Sequence, residues 1–168
     1  MSTIRNTNGE VIFESEHETM LNTIEAAINE GTDLRNANLV GVDLHGAQLA
    51  GGIFWDANMG EADMRGANLQ GAILAGCNLR DADLTGAILD GCDLADACLW
   101  GANLSGVNFD RVSLRHTNVG GANLTGANLT GANITGANFS ESVTVGVVVD
   151  DAKRDVLAEA GVIIEEAT

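Results

Sequence analysis

Five carboxylates are the residues best spaced for chemistry. Asp43, Asp63 and Asp83 lie at intervals of twenty, and Glu61 and Asp81 repeat that interval two places earlier. Paired acids of this kind bind a cation weakly, although nothing here resembles a calcium-binding repeat. The other reactive types are scattered. His17, His45 and His116 stand far apart, and no cysteine, serine or carboxylate has a base beside it with a third group to orient that base. Glycines such as Gly126 and Gly131 have no lysine after them, so no phosphate-binding loop is expected. The expectation is a protein without catalytic residues, metal or cofactor.

What positions these side chains is a period of five. Every fifth residue from position 34 to position 139 is apolar, which makes twenty-two consecutive units of the type Ala-Asn/Asp-Leu-x-Gly. The residue two before each apolar centre is mostly Ala, as at Ala37, Ala47 and Ala57, and the second after it is mostly Gly, as at Gly41 and Gly46. Five matches neither the 3.6-residue period of a helix nor the two-residue period of a strand. The chain must therefore turn every five residues around one narrow interior, as a solenoid, with the Ala and the centre inward and the other three positions outward. Tandem A-N-L-x-G units resemble the pentapeptide-repeat family, over about two-thirds of the chain.

The resemblance implies an all-β, right-handed, four-sided β-helix with four units, hence twenty residues, per coil. Twenty-two units then make about five and a half coils, extended to six if the weaker units at Thr144 and Val149 join. At roughly 4.8 Å per coil the rod is about 26 Å long. Residues twenty apart stack on one side. Numbering sides from the unit of Leu34, the third side and its corner gather Asp43, Glu61, Asp63, Asp81 and Asp83, relieved by Arg65 and His45. This is the candidate acidic cluster; the plain alternative is a solubilising surface built from the repeat's Asn/Asp preference. The opposite, first side carries Ile53 and Ile73 where Asn or Asp is usual, beside Trp55 and Ala75. With Trp100 these form the candidate interaction patch. The N-terminal segment or another protein chain is expected to cover it. Arg35 precedes Trp55, and Arg80 precedes Trp100, by twenty residues, which predicts two stacked cation–π pairs. Thr85, Ser105 and Thr125 also align, but three rungs are too few for an ice-binding array.

The ends are not repeats. Residues 1–31 read as a hairpin over 4–13, turning at Asn8 and Gly9, then an amphipathic helix over 16–29 with Met20, Leu21, Ile24, Ala27 and Ile28 on one side and Gly31 after it. Residues 32–150 form the β-helix, closing on a short strand at 147–149. Residues 151–168 read as a helix to Ala160, ended by Gly161, and an apolar tail at 162–164 that pairs as a strand or joins a dimer interface.

Composition bounds the partners. The formal net charge is −16, and proline, which would delete a ladder hydrogen bond, is absent. An acidic chain avoids nucleic acid and anionic membranes. The start resembles no signal peptide and no stretch is suited to spanning a bilayer, so a cytoplasmic setting is expected. Cys77 and Cys92 replace inward Ala as core fillers, whereas Cys98 should face out. Two functions remain. The first is a non-enzymatic interaction or scaffold module for an unidentified protein partner, with a homodimer through the C-terminal element or the Ile53, Trp55 and Ile73 side as one form. The alternative follows from the resemblance: some family members act on DNA gyrase by presenting a DNA-like acidic rod. Against it, the acidic cluster spans only about 10 Å at roughly 4.8 Å per coil, and residues 97–139 are nearly uncharged.

Overall fold

The computed structural model describes residues 1–159 and 162. Its body is a ladder of parallel bridges between residues twenty apart, running from Asn38 paired with Asn58 to Asn128 paired with Val148. The bridge falls on the residue just before each centre, which is apolar in every unit except that of Thr144. Two backbone bonds flank it: the centre donates forward, as from Leu39 to the Asn58 carbonyl at 2.7 Å, and the preceding residue donates back, as from Asn58 to the Ala37 carbonyl at 2.8 Å. Four five-residue units thus make one coil. The weaker units join it, since Val143 bridges Asn123 and Thr144 is buried.

Each unit turns in the same way. The inward Ala donates to the centre three residues earlier, as from Ala37 to Leu34 at 3.1 Å, and the second residue after each centre takes a left-handed conformation. Glycine suits that position because it has no Cβ to clash. Where another residue stands there, as Asp81 at φ 57° or Glu61 at φ 60°, the backbone keeps the same shape. The centres and the Ala positions fill the interior, with Leu34, Phe54, Leu74, Leu94, Leu114 and Ile134 forming the first side's column.

Inward polar side chains are satisfied by the coil below. Cys77 donates to the Phe54 carbonyl at 2.8 Å, Cys92 to that of Leu69 at 2.7 Å, and Thr117 to that of Leu94 at 2.7 Å. Each partner lies twenty-three residues back, so one local geometry serves all three. Burial pushes both thiols up to about 12. Cys98 is half-buried rather than fully outward.

The N-terminal hairpin consists of β1 (Ser2–Arg5) and β2 (Val11–Ser15), antiparallel, with an irregularity after Ile4. Its turn is organised less by Asn8 and Gly9 than by Asn6, whose Oδ1 accepts from the N–H groups of Asn8 and Glu10. Helix α1 (Met20–Asn29) starts later than the expected residue 16, because Thr19 caps it, accepting from the Asn22 N–H at 3.2 Å. Ile24 and Ala27 are fully buried on its inner face, while Met20, Leu21 and Ile28 are half-buried against the core. Helix α2 (Asp151–Glu159) follows the last unit and buries Leu157. The expected end of that helix at Ala160 and Gly161, and the tail residues Ile163 and Ile164, lie outside the described residues; Val162 packs partly against the core. No helix among the described residues is long and apolar enough to cross a membrane.

Candidate interaction surface

The ladder register decides which outward residues meet. On the first side Ile53 bridges Ile73, and Ile73 bridges Asp93. Trp55 is 49% exposed and Ile73 39% exposed, large values for side chains of this size and polarity. The hairpin does not cover them. Asn6 bridges Ala37, Thr7 donates to Asn36, and Arg5 accepts from Asn38, so the hairpin sits on the leading edge of the first coil, around the second side. An edge needs hydrogen-bond partners more than an apolar surface does, and the hairpin's strand supplies them.

Trp100 does not belong to this patch. It stands on the second side, two coils further on, with Arg80 at 5.9 Å from its ring centroid. A Cβ on Gly120 would lie 2.7 Å from its Cζ3, so the ring rests against the next coil. Trp55 has a matching arrangement with Arg35, also at 5.9 Å, yet stays exposed. Arg35 is anchored in turn to Asp33 at 2.7 Å. A further isoleucine escapes the comparison of opposite sides: Ile88, on the fourth side, bridges Asn68 and Asn108 and is 52% exposed. Its signal was the same one, an isoleucine at an Asn/Asp position.

The register also aligns Asp43, Asp63 and Asp83 in one row. Their environments differ, however. Arg65 clamps Asp63 through Nε at 2.8 Å and Nη2 at 2.5 Å, and those bonds hold the Asp63 carboxyl down at about 2. Asp83 accepts from the Thr85 hydroxyl at 2.6 Å, Asp43 accepts from the His45 N–H at 3.0 Å, and Asp81 pairs with Arg80 at 3.2 Å. Glu61 occupies a left-handed corner and makes no ion pair among the described residues. The row is therefore interrupted by cations at its centre and corner. Among the described residues no three His, Cys, Asp or Glu side chains converge as metal ligands. His45 and His116 stand on the third and first sides, more than three coils apart, and His17 precedes α1.

A family model described as Pentapeptide repeats matches in 8 copies, over residues 30–66, 62–101, 72–111 and 108–143. No curated protein matches the chain. Among solved structures, Rfr23 of the cyanobacterium Cyanothece 51142, itself described as a pentapeptide repeat protein, is 35% identical over 55% of this chain and 64% of its own, with a TM-score of 0.54. HetL from Nostoc sp. strain PCC 7120, described as involved in heterocyst differentiation regulation, is 29% identical over 71% of this chain and 65% of its own, with a TM-score of 0.37. QnrB1, described as a plasmid-mediated fluoroquinolone resistance protein, is 21% identical over 76% of this chain and 84% of its own, with a TM-score of 0.41. The chain thus spans less than two thirds of the first two.

Proposed function

Because the chain belongs to the pentapeptide-repeat family, we propose that it is a non-enzymatic interaction module whose first side docks a protein partner. Family membership implies the right-handed, four-sided β-helix, and such a rod holds its outward side chains in fixed rows. One observation carries the reading. Ile53 and Ile73 occupy positions that hold Asn or Asp in most units, and Ile73 and Trp55 remain 39% and 49% exposed with the N-terminal hairpin engaged elsewhere. Clustered exposed apolar groups mark surfaces that another molecule covers.

A DNA-like acidic rod is the weaker alternative. Arg65 neutralises the middle of the carboxylate row and Arg80 pairs with Asp81, while Asn103 and Asn123 continue the row without charge. Two coil rises of roughly 4.8 Å give the charged part a length of about 10 Å. That equals about three base pairs at roughly 3.4 Å each.

A photo-crosslinking amino acid at position 73, compared with one at position 125 on the third side, tests the docking reading in the producing cell. The expected result is a discrete adduct with another protein from position 73 alone. Equal yields from both positions, or no adduct, would remove the reading, and an adduct with a second copy would replace it by self-association. Inhibition of DNA gyrase supercoiling, lost on Asp43→Asn and Asp83→Asn, would instead establish the acidic rod.

A further inference from the structure

Resting on that docking reading, we infer that the occupant of the Ile53, Trp55 and Ile73 side is a basic amphipathic helix of a partner protein, lying along the rod axis. Two features of the surface select it, the sign of the rim charge and the spacing of the rungs.

The rim is acidic on balance. Asp93 continues the isoleucine row, and Asp56 and Asp96 stand on the adjoining corner, both in left-handed turns. None of the three takes part in an ion pair among the described residues. Asp93 does accept from the Ala95 N–H at 3.0 Å, a bond that leaves its charge in place. This side carries two cations, Arg35 and Arg115. Arg35 is held by Asp33 and by the Trp55 ring. Arg115 is exposed one coil beyond Ala95 and in no ion pair among the described residues, so three carboxylates stand against one unpaired arginine. A partner must therefore bring apolar groups to the centre and cations to the edge. A second copy of this chain presents the same three carboxylates against the one unpaired Arg115, and pressing two such faces together opposes a net like charge. Nucleic acid and anionic lipid carry the wrong sign.

The spacing favours a helix over a strand. The rungs Ile53, Ile73 and Asp93 rise by roughly 4.8 Å each, about 10 Å in all. Two helical turns of about 5.4 Å advance about 11 Å. Two alternate-residue steps of a strand advance roughly 13 Å and fall out of step. A helix reading apolar, apolar, basic at successive turns thus meets all three rungs. Next to the isoleucine row, the residues after the centres fall from Trp55 to Ala75 and Ala95, which leaves a step beside a single aromatic wall.

The probes are three synthetic peptides of about sixteen residues, some four helical turns: a basic amphipathic helix, its acidic counterpart with Glu in place of each Lys or Arg, and a basic peptide of equal charge with no apolar face. Trp100→Phe leaves Trp55 as the one tryptophan, so its emission reports on this side. The basic amphipathic peptide should shift that emission to the blue and bind in the micromolar range. Ile73→Asp should weaken it by about tenfold or more. The triple change Asp56→Asn, Asp93→Asn and Asp96→Asn, which keeps turn-compatible side chains, should weaken it by roughly tenfold and flatten its salt dependence.

Equal binding of the acidic and basic amphipathic peptides would overturn the charge argument. Equal binding of the basic peptide without an apolar face would reduce the effect to attraction by an acidic chain, and the inference would fail. If no peptide shifts Trp55 while the crosslinker at position 73 still captures a partner, the helical occupant is wrong and the docking face stands. If the crosslinker also fails, the docking reading falls with it.

Discussion

Trp100 and Gly120 show how one coil shapes the next. The indole lies where a Cβ on Gly120 would stand, 2.7 Å from Cζ3 and 2.8 Å from Cε3, and Arg80 covers the ring from the preceding coil. Gly126 is different: it has φ +67° and open space around its Cβ position. Alanine should therefore destabilise the two sites for separate reasons. At Gly120 it should cost about 1–3 kcal/mol by forcing the ring out, and at Gly126 roughly 1–2 kcal/mol by left-handed strain. Urea unfolding measures both, and only Gly120→Ala should red-shift tryptophan emission. In a Trp100→Ala background the Gly120→Ala cost should nearly vanish while that of Gly126→Ala persists. Equal costs in both backgrounds would mean that the ring does not need the space. The Arg80 and Trp100 pairing was legible from the interval of twenty. The fit of the ring to Gly120 was not, because a glycine in a glycine-rich repeat carries little information until its neighbour one coil back is named.

The elements outside the repeat act by completing hydrogen bonds that a missing coil would otherwise supply. Within the rod each residue before a centre donates backward to the preceding coil; the first coil has none. Asn38 donates instead to the Arg5 carbonyl at 2.8 Å, and Gln48 to the Glu25 carboxylate at 2.7 Å. Helix α1 and the hairpin thus stand in for a coil, one through a side chain and one through backbone. Glu25→Ala should cost on the order of 1–2 kcal/mol, whereas Glu25→Gln, which keeps an acceptor, should retain most of the stability. Amide hydrogen exchange at Gln48 should quicken in the first variant and not in the second. If the two variants behave alike, the Glu25 bond does not secure this edge. Amphipathic spacing alone revealed that a helix caps the rod, with Ile24 and Ala27 inward. It misplaced the start at residue 16, since the decisive residue was the Thr19 cap, and Ser15 takes the His17 N–H outside the helix. Which backbone group each end would satisfy depends on the three-dimensional edge, and no pattern in the sequence encodes that.

At the scale of the whole rod, two periods are nested and they fail differently. The five-residue period decides whether a side chain points in or out, whereas the twenty-residue ladder decides which outward residues meet. Removing residues 123–142 excises one full coil and preserves both, so Phe139 leaves with its coil and every remaining row keeps its side. Removing 123–127 excises one unit: the interior stays apolar, but each downstream row turns by one side. Removing 123–126 breaks the inner period, since every later centre shifts by one place and an outward residue takes its position. The first variant should unfold in a single transition, with Trp55 emission unchanged. The second should fold with lower stability, because Asn118 and Asn138 no longer stack to make their 3.2 Å bond. The third should lose amide protection from position 123 onward, and in the coil before it, whose centres donate forward into the missing one. Full protection of the last coils in the third variant would show that packing at the ends, rather than the inner period, holds the rod together.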